Sequence, residues 1–249
     1  MRAKIDYAGL QIRGNREEQE DRFSIIEPTD QGEPLLTVVA DGMGGHVGGA
    51  LAAETAVATF TTVMAENGGA DHASFHQAVD QANRAIAAEV LDNPTRSGMG
   101  CTLVAALLSH EGLYWVSVGD SVLLLCRDGS AERLNADHSL APQLDAAAAR
   151  GEISREEALK SSSRHALRSA LTGNAIAHLD CPARPRQIQS GDWIIVASDG
   201  IDVLSYGEIG ALVAQHNTTA FELCEHLLDA VEAKANPRQD NTTIVAIRA

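Results

Sequence analysis

The chain has 249 residues, and its 34 Asp and Glu against 19 Lys and Arg give it a formal net charge of −15. Such an acidic chain is not expected to bind nucleic acid or an anionic membrane through a general basic surface. Its 45% hydrophobic residues, with 21 Gly and 7 Pro, are typical of a globular protein. The sequence shows neither a signal-peptide core nor an apolar run of about 18 residues, so we expect a cytoplasmic protein with no membrane contact.

Short apolar runs rich in Val, Ile and Leu predict the β-strands. These runs lie at residues 23–26, 35–39, 102–108, 113–118, 122–126, 193–197 and 242–247. The connections between 104–108, 113–118 and 122–126 are too short for helical crossovers. We therefore predict that these three strands form one antiparallel meander.

Apolar residues at helical spacing predict three amphipathic helices. The first has stripes through Leu51 and Phe60, the second runs from Phe75 to Val90, and the third includes Phe221 among its buried residues. Strands and helices do not alternate regularly, which favours an α+β fold. Nothing resembling a linker or a repeat divides the chain, so we predict a single domain over residues 1–249.

Residues 143–163 differ from the rest of the chain. They are rich in Ala, then in charged residues and Ser, and show little apolar periodicity. This pattern indicates a mobile surface segment rather than core.

Acidic residues lie directly beside five of the predicted strands. Asp41, Asp120 and Asp199 each follow a strand, whereas Asp240 and the pair Glu20 and Asp21 each precede one. A carboxylate at the edge of an apolar core is costly unless it is hydrogen-bonded, paired or bound to a cation.

Two interpretations of these acids are possible. Asp-Gly after a strand is a common turn signal, and any one of them could be only a turn. Acidic residues beside five strands, with few neighbouring cations, favour bound divalent ions. Ligands that are all oxygen suit Mg²⁺ or Mn²⁺ better than zinc. Such ions would reverse the local field of an acidic protein and allow it to bind phosphate. Two ions about 3.5–4 Å apart can also activate a shared water, so hydrolysis of a phosphate ester is a natural hypothesis.

Seven short motifs carry a family resemblance. They are Arg16-Glu17-Glu18-Gln19-Glu20-Asp21, Asp41-Gly42-Met43-Gly44-Gly45-His46, Gly100-Cys101-Thr102-Leu103, Val118-Gly119-Asp120-Ser121, Asp137-His138-Ser139, Ala197-Ser198-Asp199-Gly200 and Asp240-Asn241-Thr242-Thr243. In order and spacing the chain resembles the metal-dependent, type 2C serine/threonine protein phosphatases, in their bacterial form. The resemblance runs from about residue 7 to the end.

The resemblance implies a four-layer α-β-β-α sandwich, in which two antiparallel sheets are flanked by helix pairs and the metal centre lies at one end. It implies two Mn²⁺ or Mg²⁺ ions and a weaker third. By this resemblance Asp41 bridges both ions, Asp199 and Asp240 hold the first, and Asp21 with the Gly42 carbonyl holds the second. The resemblance also implies that Glu20 acts through water, Arg16 binds phosphate and Asp120 holds the third ion. Residues 143–163 would form a flap that faces the substrate.

The family resemblance predicts that a bridging water attacks phosphorus directly, releasing phosphate from phosphoserine and phosphothreonine in proteins. The expected partners are phosphorylated proteins, the substrates of a serine/threonine kinase. Alternatives are a non-catalytic signalling module of the same fold and a phosphatase for small phosphate esters.

The chain departs from the family pattern at several positions, and two of these departures, at Asp202 and Met43, bear on the chemistry. Asp202 lies one residue closer to Asp199 than the family's further acid, which weighs against its holding the third ion. Met43 stands where animal members have a proton-donating His. His46 lies three residues later and is a weak substitute for it.

Overall fold

Two antiparallel sheets form the centre of the molecule. The computed structural model describes residues 5–27, 34–44, 47–67, 72–215 and 219–249. The first sheet has the order β2-β3-β6-β7, with β2 at Arg22–Ile26, β3 at Leu35–Ala40, β6 at Leu103–Ser109 and β7 at Gly112–Val118. The second has the order β1-β11-β10-β8-β9, with β1 at Asp6–Ile12, β8 at Val122–Arg127, β9 at Ser130–Arg133, β10 at Trp193–Ala197 and β11 at Thr242–Arg248. A small ribbon pairs β4 at Gly42–Met43 with β5 at Gly100–Cys101.

Helices cover the outer face of each sheet. The helices α1 at Val47–Asn67 and α2 at His72–Asp92 pack on the first sheet, whereas α5 at Tyr206–Gln215 and α6 at Ala220–Ala233 pack on the second. Two further helices, α3 at Ala141–Ala149 and α4 at Arg155–Lys160, lie in the connection between β9 and β10. In the ranges described, no helix is both long and apolar enough to cross a bilayer. The predicted α+β sandwich of four layers is confirmed.

Alternation along the strands builds the layers. In β3, Leu36 and Val38 belong to the apolar cluster under α1 and α2, whereas Leu35 and Val39 belong to the cluster between the two sheets. Both sets are almost fully buried. Because successive side chains of a strand point to opposite faces, one continuous apolar run supplies both layers. Each buried Leu or Val contributes about 1.5–3 kcal/mol of transfer free energy.

The predicted three-stranded meander is wrong in its third strand. β6 and β7 pair as expected, but β8 lies in the other sheet, between β10 and β9. The free edge of β7 instead bonds to residues 180–186, through bridges from Ser117 to Asp180 and from Leu113 to Arg186. Gly119, with φ of +106°, begins the short crossing between the sheets. A connection of three residues is compatible both with a hairpin and with a crossing between sheets. Its length therefore could not predict which sheet β8 joins.

The predicted role of Phe221 is also wrong, because its side chain is 50% exposed. The buried stripe of α6 contains Ala220, Leu223, Cys224, Leu227, Leu228 and Val231. This spacing of three and four residues places one face on the second sheet. Thr219 begins the helix with a capping box, in which its hydroxyl accepts from the Glu222 N–H and leaves Phe221 in the first turn, facing solvent.

Residues 143–163 contain most of α3 and all of α4. A capping box starts α4, since the Ser154 hydroxyl accepts from the Glu157 N–H and the Glu157 carboxylate accepts from the Ser154 N–H. Most side chains of the segment are exposed, and Ala158 is buried. The segment therefore lies at the surface as expected, and its mobility stays a prediction.

Candidate metal centre

Acids from both sheets meet in one pocket of about 280 Å³. Asp41 joins β3 to β4, Asp120 joins β7 to β8, Asp199 follows β10, and Asp240 precedes β11. All four line the pocket, and its other lining residues include Glu20, Gly42 and Arg16. The sequence motifs that are far apart in the chain are therefore neighbours in space.

Asp41 is held in place through its backbone. Its N–H donates to the Thr102 hydroxyl at 3.0 Å, and its carbonyl accepts from the Thr102 N–H at 2.9 Å. The Thr102 hydroxyl in turn lies 2.7 Å from the Ser121 hydroxyl. Burial, followed by the nearby carboxylate of Asp199, raises the pKa of Asp41 well above its ordinary value. A nearby cation would therefore stabilise the ionised form of Asp41.

Asp199 begins a 3₁₀ turn that follows β10, and its carboxyl group is hydrogen-bonded to the carboxyl group of Asp41. Burial and the carboxylate of Asp240 raise its pKa, which the hydrogen bond with Asp41 partly opposes. Its buried Oδ1 has no hydrogen-bond partner among the residues that the structure describes. An orphaned buried carboxylate oxygen is costly, and a bound cation would satisfy it.

Glu20 and Asp21 are placed differently from each other. Glu20 lines the pocket, and its backbone N–H donates to the Asn241 side-chain oxygen at 2.8 Å. Asp21 is fully buried, is not part of the pocket lining, and accepts hydrogen bonds from the hydroxyls of Ser198 at 2.7 Å and Thr243 at 2.8 Å. Burial raises the pKa of Asp21 to about 7, although these two bonds lower it. This placement favours Glu20 over Asp21 as a direct ligand.

Arg16 reaches the pocket from the loop that follows β1 and forms an ion pair with Asp240. The turn that carries this loop passes very close to the β11 end. Gly14 has φ of +61°, and a Cβ there would lie 2.4 Å from the Asp240 carbonyl oxygen. A residue with a side chain at position 14 would push Arg16 away from the acids.

Asp120 lines the pocket on the side of the sheet crossing, and Arg133 supports its loop. The Arg133 guanidinium donates to the carbonyl oxygens of Asp120 at 2.8 Å and Ser121 at 3.4 Å. Burial and the carboxylate of Asp199 raise the pKa of the Asp120 carboxyl group to about 7. Asp202 is exposed and does not line the pocket, in agreement with its departure from the family spacing.

The donor set fits hard divalent cations, because its ligand atoms are carboxylate and carbonyl oxygens. The buried Oδ1 atoms of Asp199 and of Asp21 both lack a hydrogen-bond partner among the residues that the structure describes. As the side chains stand, no group of three or more His, Cys, Asp or Glu in the described ranges is arranged to hold a metal ion. Asp240 is turned to Arg16, and Asp199 is bonded to Asp41. Ion binding would therefore require these carboxyl groups to exchange their present partners for the ions.

His165 is a residue of this pocket that the sequence analysis missed. It lies beyond α4, lines the pocket with Leu167, and lowers the pKa of Asp199. No motif or periodicity marks it, because its place depends on how the connection from β9 to β10 folds back over the acids. His46, the weaker candidate from the sequence, lies outside the described residues.

Comparison with known proteins decides the family. The family model described as "Protein phosphatase 2C" matches residues 9–170. A serine/threonine phosphatase, stp, of Listeria welshimeri is 30% identical over 191 residues, which cover 75% of this chain and 73% of that protein. The chain belongs to the protein phosphatase 2C family.

The phosphatase fold agrees with this membership. The crystal structure of the Mycobacterium tuberculosis serine/threonine phosphatase PstP superposes with a TM-score of 0.80 at 31% identity, covering 98% of each chain. A catalytic domain of PstP in complex with two manganese ions gives a TM-score of 0.77 at 30% identity, covering 98% of this chain and 97% of that chain. The curated PstP is 32% identical over 212 residues, and the match spans 84% of this chain but only 39% of PstP.

Proposed function

We propose that this chain hydrolyses phosphoserine and phosphothreonine in proteins with the help of two Mn²⁺ or Mg²⁺ ions. The observation that carries the proposal is the meeting of acids from both sheets in one pocket that also contains Arg16. The two manganese ions of the related PstP catalytic domain support it. Phosphorylated proteins made by a serine/threonine kinase are the proposed substrates, and the cytoplasm is the proposed location.

Each residue of the pocket has a proposed part. Asp41 would bridge the two ions, Asp199 and Asp240 would hold the first, and Glu20 with the Gly42 carbonyl would hold the second. In this assignment Glu20 takes the place expected for Asp21, because Glu20 lines the pocket and Asp21 does not. Asp120 would hold a weaker third ion. Bound divalent ions would supply positive charge to the phosphoryl oxygens and lower the pKa of water.

The chain's own residues position the substrate and the acids. The Arg16 guanidinium can bind two phosphoryl oxygens through its planar fork once it leaves Asp240. Asp21, held by two hydroxyls, supports the turn that carries Glu20. Thr102 and Ser121 fix the backbone at Asp41. These contacts preorganise the pocket, which lowers the cost of orienting the phosphate.

Phosphate release from a phosphothreonine peptide tests the proposal. We expect turnover with Mn²⁺ and Mg²⁺, little with Zn²⁺, and none with a chelator. The Asp199→Asn variant should lose turnover by about two orders of magnitude or more, whereas Asp145→Asn in α3 should retain it. Turnover of p-nitrophenyl phosphate that survives both EDTA and Asp199→Asn would refute the metal-dependent mechanism. Turnover of metabolite esters without turnover of phosphopeptides would refute the protein substrate.

A further inference from the structure

A second cavity, of about 550 Å³, opens beside the candidate metal centre. Met43, His165 and Leu167 line both cavities, so the two are contiguous. A phosphorylated side chain in the first cavity belongs to a peptide that must leave it along the surface. Neighbouring residues of that peptide can therefore enter the second cavity, because each extended residue advances the chain by about 3.3–3.6 Å.

The wall of the second cavity is fixed to the core. Leu171 exchanges two backbone hydrogen bonds with Cys101, at 2.9 and 3.0 Å. The Asn83 side-chain oxygen accepts from the N–H groups of Thr172 at 3.1 Å and Gly173 at 2.8 Å. These bonds tie the segment to β5 and α2, respectively. The cavity is therefore preformed, and a peptide entering it would not have to order this wall first.

Arg168 gives the second cavity its charge. Arg168 lines this cavity, and none of the described residues that line it is Asp or Glu. This contrasts with the acids of the metal centre and with the net charge of −15 for the whole chain. An isolated positive charge at the margin of an acidic site favours an anionic group on the ligand.

Two contacts hold Arg168 in place. Its backbone N–H donates to the His138 carbonyl oxygen at 2.8 Å. Its guanidinium donates to the side-chain oxygen of Gln143 in α3 at 3.0–3.3 Å, when that amide is oriented to match its neighbours. Gln143 is a neutral acceptor, so the positive charge of Arg168 is not neutralised by this contact.

We propose that the second cavity is a substrate subsite, in which Arg168 selects phosphoproteins carrying an anionic side chain close to the phosphorylated residue. The anionic side chain is Asp, Glu or a second phosphorylated residue. This inference rests on the proposed protein phosphatase function and adds a substrate preference to it. An exposed ion pair changes binding by up to about fivefold, so the preference for an anionic over a neutral side chain should reach about that size in kcat/KM.

A set of phosphothreonine peptides tests the subsite. Each peptide carries Glu, phosphoserine, Ala or Lys at one position within three residues of the phosphothreonine, and kcat/KM is measured with Mn²⁺ at low salt. For at least one position we expect Glu and phosphoserine to exceed Lys by about fivefold or more. The preference should shrink at about 0.5 M salt, because salt screens exposed charges.

Variants of Arg168 assign the preference to its charge. Arg168→Met should remove the preference, Arg168→Glu should reverse it, and Arg168→Lys should retain most of it. Arg184→Glu is the matched control, because it makes the same change of net charge at an exposed arginine that does not line the cavity. Melting temperatures would show that each variant is folded.

The possible outcomes separate the two proposals. Equal rates for all peptides, or a preference that Arg168→Glu leaves unchanged, would overturn the subsite while leaving the phosphatase function in place. An equal loss of preference in Arg184→Glu would overturn the role of Arg168. The absence of turnover on every phosphopeptide would overturn the proposed function, and the subsite with it.

Discussion

Replacing Asp199 with Asn should stabilise the protein without metal and remove its stabilisation by Mn²⁺. The Asp199 carboxylate is buried beside the carboxylate of Asp240, and the hydrogen bond with Asp41 compensates for this only in part. Its Oδ1 has no partner among the described residues. Asn has nearly the same shape but no charge. Removing a poorly compensated carboxylate should therefore raise the free energy of unfolding by about 1–2 kcal/mol in the presence of EDTA. For a chain of this size, each 1 kcal/mol raises the melting temperature by about 2–4 °C.

Thermal unfolding with EDTA and then with Mn²⁺ measures both effects. Mn²⁺ at about 100 times its dissociation constant should stabilise the wild type by about 2.7 kcal/mol for each site. The Asp199→Asn variant should gain little, because the ligand set of the first ion is broken. Asp145→Asn is the control, since Asp145 pairs with Arg164 on the surface segment. An Asp199→Asn protein that is less stable in EDTA and shifts with Mn²⁺ as far as the wild type would refute this reasoning.

Three further predictions concern binding, an ion pair and a close contact. Arg16→Ala should raise the KM for a phosphopeptide by about tenfold with a smaller change in kcat, and Arg16→Lys should recover only part of the loss; an unchanged KM in initial-rate assays would contradict its role. Arg127→Met should cost about 3 kcal/mol in urea unfolding near pH 7.5, because it leaves the buried Asp192 carboxylate without the guanidinium that donates to it at 2.5 and 2.7 Å. Burial raises the pKa of Asp192, but the hydrogen bonds from Arg127 and the Gln189 N–H outweigh burial and lower the pKa overall. The wild type therefore has the full stabilisation from this ion pair above the ordinary carboxyl pKa. It loses that stabilisation only as the pH falls through the lower pKa of the folded protein. In Arg127→Met less opposes the effect of burial, so the pKa of Asp192 in the folded protein rises. The difference in the free energy of unfolding between variant and wild type should therefore narrow as the pH falls from about 7.5 to about 5. A difference that stays constant over this range would contradict the role given to Arg127. Gly42→Ala should destabilise the protein by about 1–3 kcal/mol in the same assay, because the new Cβ would lie 2.2 Å from a carbonyl oxygen in the first turn of α1, and a neutral result would show that the ribbon can move.

Motif order predicted the family correctly, and periodicity predicted much of the core. The runs at 35–39, 193–197 and 242–247 are strands in the structure, and both long helices lie where their apolar stripes place them. These signals are reliable because a buried strand or helix face must be apolar along its whole length. The comparisons confirm the phosphatase 2C family that the motifs indicated.

The errors occur where local sequence does not determine the partner of a strand. The run that forms β8 has the pattern of a buried strand, but nothing in its sequence states whether it pairs with β7 or crosses to the other sheet. Residues 180–186, which have no strand pattern, take the edge of β7. Strand β1 was missed because Gly9 and polar residues interrupt its apolar positions.

The site was predicted as a set of residues but not in its detail. The acids beside the strands do meet, since strand ends lie at one end of the sandwich. Glu20 lines the pocket and Asp21 is buried because Asp21 accepts hydrogen bonds from the hydroxyls of Ser198 and Thr243. Ser198 follows β10 and Thr243 lies in β11, so both are far from Asp21 in the sequence. His165 enters through tertiary folding alone. The single domain over 1–249 and the individual ligand roles stay predictions.

The most direct test is anomalous diffraction at the manganese absorption edge from crystals soaked in Mn²⁺. We expect two strong peaks in the pocket, with Asp41 between them, Asp199 and Asp240 beside one peak and Glu20 beside the other. Arg16 should then have left Asp240. Crystals that diffract well in Mn²⁺, yet show no anomalous peak among these carboxylates, would contradict the central claim.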